Sequence, residues 1–335
     1  MNTPRTASLP HTQNAVVITG PQQASLQACP SDATPLASDE VAGQTLASLV
    51  SPGTELNWAY AGSNDVGNVP TYPVRPGYAA VMRIDAIGAG VTDRKEGDVV
   101  LTMGPHASRQ RTRAIDAHLV PADLDSTVAV FARLIAVSWT TLVTTVARPG
   151  DRVLISGLGP VGNLAAQIFT SAGYQVTACD PVDQRQAIAR ANGLTDVRPS
   201  IPRTGETFAL AVDCSGHEQA VLDAARVVRK RGEIVLVGVP WKRHTSLYAY
   251  DLLNLIFHRY LVVRSGWEWE LPNHPRDFSA GSIGENLQHA LDWLAAGRVK
   301  TTGLADLVTP GDAQKAYQDL LHRRGKALSV VFDWT

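Results

Sequence analysis

Two patterns of hydrophobic and polar positions follow one another along the chain. Over the first hundred or so residues, short apolar runs such as NAVVIT, YAAVMRIDAIG and DVVLTM are separated by Gly, Pro, Ser and Thr. Apolar runs bounded by turn residues are typical of strands. This part of the chain is therefore predicted to form a small, irregular, β-rich lobe.

From about Val137 the pattern changes to strands that alternate with helices. The predicted strands are RVLIS, QVTAC, FALAVDC and EIVLVGV, and the helices between them include DQRQAIARANG and HEQAVLDAARVVRKRG. Such alternation predicts an α/β fold with a parallel, doubly wound sheet.

After YLVVRSG the alternation is lost in a Pro- and Trp-bearing stretch. One amphipathic helix, ENLQHALDWLAAG, and a terminal strand, KALSVVFDW, follow it. The pattern alone leaves open which of the two lobes the terminal strand completes.

A glycine turn joins the first strand of the alternating region to its helix. Gly157, Gly159 and Gly162 end the strand VLIS and open a helix that runs to Gly173. In this setting the first glycine permits a tight turn, the second lets the backbone approach a pyrophosphate, and the third lets the helix pack on the sheet. The free N–H groups of the helix then face the phosphates. The turn predicts a dinucleotide site.

Asp180 ends the next strand at the distance expected for a ribose-binding carboxylate. Its charge would oppose a 2′-phosphate, so NAD is the predicted cofactor. The alternative for Asp180 is a turn residue before Pro181. Arg185 could flank the adenine or simply be solvated.

Length, charge and cysteine content narrow the class of protein. The 335 residues, 44% of them hydrophobic, suffice for two domains. A net charge of −1 without a long basic run argues against nucleic-acid partners. Three cysteines without a CxxC pair exclude a disulfide framework and a four-cysteine zinc lobe. We expect a cytoplasmic protein with a small-molecule substrate and no membrane-spanning window.

The order of these elements resembles the medium-chain dehydrogenase/reductase family over nearly the whole chain. The motifs that carry the resemblance are GAGVTDRKEGDVV, the glycine turn, VDCSG, RGEIVLVGVP and GKALSVVFDW. The resemblance implies a GroES-like catalytic domain at residues 1–136, a Rossmann NAD-binding domain at 137–266, and a segment at 267–335 that returns to the catalytic domain. It also implies a homodimer, for which YLVVRSG is the candidate edge strand.

The positions of the family's catalytic zinc ligands differ in this chain. Zinc-dependent members read approximately C-G-T/S-D where this chain has Pro52 to Glu55, and G-H-E where it has Gly77, Tyr78 and Ala79. The third ligand position falls near Arg133. Zinc takes thiolate, imidazole or carboxylate ligands, so no metal is predicted. The stretches SPGTE, RPGY and GPHAS resemble zinc-independent members similar to bacteriochlorophyllide hydroxyethyl dehydrogenase.

Without zinc, a side chain must handle the proton that accompanies hydride transfer. Thr54 matches the family's Ser/Thr that binds the substrate oxygen, and its alternative is a turn hydroxyl. Glu55 is either an acid–base group or a partner of the backbone. Tyr78 either reaches the substrate or fills the space of the missing ligand. His106 is either the titrating base or a structural residue.

Further contacts follow from the resemblance. Trp58, Trp267 and Trp269 could line the substrate pocket, or they could be packing residues. The implied cofactor contacts, besides the three glycines, Asp180 and Arg185, are Pro160, Val161, Cys214, Ser215, Val237, Gly238 and Val239.

The leading hypothesis is a zinc-independent, NAD-dependent oxidoreductase acting on a secondary alcohol or its ketone, on a sugar-like, cyclitol-like or natural-product substrate. Two alternatives stay open. One is a quinone or enoyl reductase of the same family, and the other is a dinucleotide-binding protein without enzymatic activity.

Overall fold

Two sheets organise the protein, one of seven strands and one of six. The computed structural model describes residues 11–67, 70–203 and 207–335. The first ten residues of the predicted catalytic domain therefore lie outside the described part of the chain. A separate hairpin of two strands is joined by isolated bridges, Ala15 to Ala107 and Ile18 to Val74, to residues outside the strands of the seven-stranded sheet.

The first lobe contains the predicted β-rich pattern. Its strands are β1 Thr12–Gly20, β2 Gln23–Pro30, β3 Glu40–Leu49, β4 Ala80–Ile87, β5 Val99–Thr102, β6 Arg109–Arg113 and β7 His118–Leu119. After β3 the chain turns into the short helix α1 (Pro52–Glu55), which continues as one π-helical turn, Leu56–Tyr60. These turns hold the candidate residues Thr54 and Glu55.

The nucleotide-binding lobe is the predicted α/β unit. Two helices, α2 Ser126–Ala129 and α3 Ala132–Thr144, precede it. Its own elements are β8 Arg152–Ser156, α4 Pro160–Ser171, β9 Gln175–Cys179, α5 Asp183–Ala191, β10 Val197–Arg198, β11 Phe208–Asp213, α6 Glu218–Val227, β12 Val228–Leu236, α7 Ala249–Arg259 and β13 Val262–Ser265. All six strands are parallel, in the order β10-β9-β8-β11-β12-β13. The order reverses between β8 and β11, and this switch point is where such sheets bind nucleotides.

The last part of the chain returns to the first lobe. Its elements are α8 Ile283–Ala295, β14 Ala305–Val308, α9 Ala313–Leu321 and β15 Ser329–Asp333. β15 pairs with β3 in antiparallel fashion, so the terminal strand completes the first lobe. α3 runs through the predicted boundary at residues 136 and 137, so that boundary falls inside a helix.

One predicted helix is shorter than expected. HEQAVLDAARVVRKRG was predicted to be helical to Gly232, but α6 ends at Val227 and β12 begins at Val228. Adjacent β-branched valines favour the strand. A residue with positive φ, Arg231 at 61°, then bends the chain ahead of the apolar run EIVL.

The expectation that no apolar window reaches the length of a membrane span is wrong for one stretch. Ser126–Thr144, which covers α2 and α3, has a mean hydropathy of 1.6 over such a window, and 67% of it is buried inside the protein. α3 packs against α4 and α8 and contributes to the largest hydrophobic core. Its apolar character is accounted for by this central position.

Candidate functional site

The glycine turn lies between β8 and α4, at the switch point of the parallel sheet. Gly157 has a φ of 85°, and a Cβ there would lie 2.8 Å from the backbone of Ser215. A Cβ on Gly162 would lie 1.8 Å from the carbonyl oxygen of Gly157. Both positions therefore exclude any larger residue, which is what a tight turn closed by a helix requires.

Gly159 differs from its two neighbours because the space above it is open. It has an ordinary φ of −60°, and a Cβ there would meet no heavy atom within 4 Å among the described residues outside its own chain neighbours. Pro160 and Val161 follow it in the first turn of α4, which receives no side-chain cap from the part of the chain that the structure describes. An uncapped helix N-terminus beside an open glycine fits a dinucleotide pyrophosphate.

The loops after β11 and β12 lie beside the turn. The amides of Val237 and Gly238 both donate to the carbonyl of Asp213, at 2.8 and 2.7 Å. A Cβ on Gly238 would lie 2.4 Å from the amide of Gly216, so these loops are closely packed. The cofactor contacts expected at Cys214, Ser215, Val237, Gly238 and Val239 are thus brought to the same edge of the sheet as the glycine turn.

Asp180 lies at the end of β9 and is nearly fully buried. Its Oδ2 accepts a hydrogen bond from the amide of Leu158 at 2.8 Å, and its Oδ1 accepts one from the amide of Val182 at 2.9 Å. Arg185 approaches Oδ2 at 3.2 Å and is itself 31% exposed. Asp180 therefore holds the glycine turn against β9, with a cation beside it. The preference of the nucleotide site for NAD over NADP stays a prediction.

Three hydroxyl groups from two loops form the centre of the candidate catalytic site. The Tyr78 hydroxyl donates to Ser51 Oγ at 2.6 Å and lies 3.4 Å from Thr54 Oγ1. Burial is the largest effect on Tyr78 and raises the pKa of its phenol, while the nearby Arg133 partly lowers that pKa. The phenol is thus neutral at neutral pH and available as a proton donor. Sequence reasoning identified Thr54 and Tyr78 but not Ser51.

A buried ion pair lies against Tyr78. Arg133, at the start of α3, donates from Nη1 to Glu268 Oε2 at 2.8 Å and from Nη2 to Oε1 at 2.5 Å. Both side chains are less than a tenth exposed. The Arg133 Cζ lies 4.8 Å from the centroid of the Tyr78 ring. Glu268 was missed because it lies between two tryptophans in a stretch without periodicity.

The residues at the family's zinc positions do not fit that metal. Pro52 has no donor side chain, Tyr78 is a neutral phenol bonded to Ser51, and Arg133 is a cation. Among the described residues, no group of three or more His, Cys, Asp or Glu side chains could hold a metal ion. The donor set that zinc requires is therefore not assembled by these positions.

The structure places Glu55 and His106 away from solvent, in a buried network. Their exposed fractions are 1% and 0%. Glu55 accepts hydrogen bonds from the Ser51 amide at 2.7 Å, from the Tyr317 hydroxyl at 2.5 Å and from His106 Nε2 at 3.1 Å. These contacts favour the structural alternatives over an acid–base role for Glu55 or His106. The carboxylate fixes the turn that presents Thr54, because it caps the amide of Ser51.

The rest of the network sets the tautomer of His106. Trp334 Nε1 donates to Ser48 Oγ at 2.9 Å, and Ser48 Oγ lies 2.9 Å from His106 Nδ1. The Ser48 hydroxyl can then donate to Nδ1, in the tautomer whose Nε2–H donates to Glu55. A Cβ on Gly77 would lie 2.8 Å from this ring, so only glycine fits there. Tyr317 and Trp334 come from the return segment and were not predicted.

The three tryptophans proposed for the substrate pocket lie in different surroundings. Trp58 is half-buried and packs against the core cluster that contains Tyr60 and Phe332. Trp267 and Trp269 are 67% and 47% exposed and lie on either side of the buried Glu268. Trp58 therefore fits the packing alternative, whereas the other two have free aromatic surface.

Comparisons with known proteins agree with this geometry. A family model described as "Zinc-binding dehydrogenase" matches residues 160–269. The chain is 25% identical over 306 residues to an alcohol dehydrogenase of Moraxella sp., a match that covers 79% of this chain and 85% of that protein. It is 26% identical over 165 residues to 2-dehydro-3-deoxy-L-galactonate 5-dehydrogenase of Pseudoalteromonas atlantica, covering 47% of each.

A third relative is a much longer protein. The chain is 32% identical over 198 residues to phthioceranic/hydroxyphthioceranic acid synthase of Mycobacterium tuberculosis, which covers 50% of this chain but only 9% of the synthase. Among solved structures, L-idonate 5-dehydrogenase from Escherichia coli has a TM-score of 0.78 at 15% identity and covers 96% of this chain and 98% of its own. Galactitol-1-phosphate dehydrogenase from Escherichia coli has a TM-score of 0.77 at 19% identity, and the match covers 96% of this chain and 99% of that one.

The chain is thus similar to alcohol dehydrogenases in sequence and shares its fold with the solved polyol and sugar-acid dehydrogenases, while the zinc-binding dehydrogenase model covers residues 160–269 of it. Its Rossmann-like α/β lobe and its β-rich lobe are those predicted from the sequence.

Proposed function

We propose that this chain is a NAD-dependent dehydrogenase that transfers hydride between the nicotinamide and a secondary alcohol or its ketone, without a catalytic zinc. The observation that carries the proposal is the open space over Gly159 at the uncapped start of α4. The likeness to an alcohol dehydrogenase and to a sugar-acid 5-dehydrogenase supports a polyol, sugar-acid or related substrate.

In this proposal, separate residues of the chain bind the cofactor and handle the proton. When bound, the nicotinamide supplies or accepts the hydride. Gly157, Gly159 and the first turn of α4 hold the pyrophosphate. Thr54 and Tyr78 bind the substrate oxygen, and the neutral phenol of Tyr78 donates its proton to that oxygen during ketone reduction.

Turnover and metal content test this proposal together. Protein purified without added metal is assayed with NAD or NADH against a panel of secondary alcohols, polyols, sugar acids and ketones, and its zinc content is measured. We expect turnover with less than stoichiometric zinc. Zinc that is retained after mild chelation and is required for activity would contradict zinc independence. Tyr78→Phe should lower kcat by about 10²–10⁴-fold, with Tyr72→Phe as the control.

A second candidate is a quinone or enoyl reductase of the same family. Two observations favour it: the described residues assemble no zinc ligand set, and the partly buried phenol of Tyr78, whose pKa is raised, lies at one of the zinc positions. Reduction of quinones or enones with no turnover of any alcohol or ketone would select this candidate. Binding of cofactor without any turnover would instead select the non-enzymatic alternative.

A homodimer and a cytoplasmic location are part of the same proposal. β13 is an edge strand of the six-stranded sheet, as expected for the pairing strand. Next to it, Phe257 on α7 and Tyr260 are 78% and 73% exposed. An apolar surface beside an unpaired strand edge favours association with a second copy.

A further inference from the structure

The buried pair of Arg133 and Glu268 has a geometry that orients the arginine charge. The two hydrogen bonds join the Nη atoms of one edge of the planar guanidinium to both carboxylate oxygens. A bidentate contact of this kind fixes the plane of the guanidinium. The Tyr78 ring packs over Cζ at 4.8 Å. Glu268 thus binds an edge of the guanidinium, whose central carbon lies over the Tyr78 ring.

Stability alone is a weak reason for burying this pair. Replacing a buried ion pair by well-packed apolar side chains is often neutral or stabilising, because two charges lose their hydration. The Arg133 Nε is also buried, and it has no hydrogen-bond partner among the described residues. The pair is therefore a buried charge whose hydrogen bonding is incomplete among the described residues, and stability does not account for it.

The field at Tyr78 provides an explanation. Apart from burial, the charged groups that act on the pKa of Tyr78 are Arg133, which lowers it, and Glu55, which raises it. The Glu55 carboxylate already accepts hydrogen bonds from buried donors, among them His106 and Tyr317. Arg133 is thus the cation placed where it can stabilise negative charge on the Tyr78 ring.

We propose that Arg133, oriented by Glu268, is a positioning residue for the proton step, and that its fixed positive charge takes over part of the electrostatic role of a metal at this centre. The proposal rests on the proposed function. Arg133 does not contact the substrate. It acts through Tyr78, by holding the ring and by stabilising the phenolate that forms when the proton leaves.

In ketone reduction, the bound reduced nicotinamide would supply a hydride to the carbonyl carbon and be left oxidised, and the C=O π electrons would move to oxygen. The Tyr78 O–H bond breaks as that oxygen takes the proton, which leaves a phenolate facing Arg133. The phenolate regains a proton from water through the hydroxyls of Ser51 and Thr54, which lie 2.6 and 3.4 Å from it.

The test removes both charges at once, since loss of one partner would leave an unpaired buried charge. In the variant Arg133→Met/Glu268→Leu we expect kcat for ketone reduction to fall about tenfold or more and the pKa of Tyr78 to rise by about one unit. The affinity for NADH should not change. The pKa is measured by ultraviolet titration as the difference between each protein and its Tyr78→Phe counterpart. Arg133→Lys, which retains a cation, should recover part of the lost kcat.

The matched control is Arg109→Met/Asp85→Leu, which removes another bidentate pair of the first lobe, with bonds of 2.7 and 2.6 Å. It should keep the native kcat and Tyr78 pKa. A folded Arg133→Met/Glu268→Leu variant with unchanged kcat and unchanged Tyr78 pKa would overturn the inference. Failure of the proposed function would appear differently, as a native protein without turnover, and the titration would still decide whether Arg133 acts on Tyr78.

Discussion

Substitution of Gly159 separates cofactor binding from folding. Gly159 has a φ of −60° and a ψ of −178°, which L-residues adopt without strain. No heavy atom of the described residues lies within 4 Å of a Cβ built there, apart from its chain neighbours. The variant Gly159→Val should therefore fold, while its side chain occupies the space that we assign to the pyrophosphate.

The expected sizes of the two effects are far apart. Replacing glycine at a helix N-cap by valine should change the free energy of unfolding by about 1 kcal/mol or less, because a weaker cap and a less flexible unfolded chain partly cancel. Displacing the pyrophosphate forfeits two or so charge-assisted hydrogen bonds, each contributing about 1.5–3 kcal/mol. The Kd for NAD should then rise about 10²–10⁴-fold.

Calorimetric titration with NAD and thermal unfolding measure the two effects on the same protein. Gly311→Val is the matched control, since among the described residues other than its chain neighbours a Cβ at Gly311 would meet Thr309 Oγ1 alone, at 3.8 Å, outside the nucleotide lobe. Native affinity for NAD in Gly159→Val would show that the phosphates do not cross this turn. A variant that fails to fold would show that the space above Gly159 is not open.

Three further predictions address specificity, pH dependence and assembly. Asp180→Ser should narrow the preference for NAD over NADP in paired titrations, and equal affinity of the native protein for both cofactors would show that Arg185 dominates. Burial lowers the pKa of His118 from 6.5 to about 4, so the unfolded chain takes up the proton first and stability falls as pH drops from 6.5 to 4. In His118→Gln, the free energy of unfolding should fall by about 3 kcal/mol less over this pH range than in the native protein. Identical acid denaturation curves for the native protein and the variant would contradict this. Light scattering should give twice the chain mass for the native protein and less for Phe257→Glu, whereas a native monomer would reject the dimer.

The sequence predicted the nucleotide-binding lobe because its signals are local. The strands RVLIS, QVTAC and FALAVDC all form where expected, and the glycine turn lies between β8 and α4. Apolar runs and glycine spacing are properties of short segments. The end of α6 was misplaced because propensity does not show where a buried strand begins to pair.

Contacts between distant segments were not predictable in the same way. Tyr317 reaches Glu55 from 262 positions further along the chain, and Glu268 reaches Arg133 from 135. Nothing in the local pattern around Glu268 or Tyr317 specifies a charged or hydrogen-bonded partner. Of the four candidate proton-handling residues, the sequence could name the residue types that suit the chemistry. It could not show which of them would be hydrogen-bonded to residues of the return segment.

The hydrogen bonds that hold α1 explain why Glu55 and His106 have different surroundings from Thr54 and Tyr78. Glu55 is buried and accepts hydrogen bonds from Ser51, His106 and Tyr317, which anchor the turn that contains it. Thr54, one residue earlier, is only partly buried and lies beside the Tyr78 hydroxyl. The two side chains can have complementary roles: a buried carboxylate anchors the turn, and the adjacent hydroxyl is left to contact a ligand. Glu55 and His106 therefore support the turn, and in the function that we propose the proton step falls to Thr54, Tyr78 and the nearby Arg133 charge.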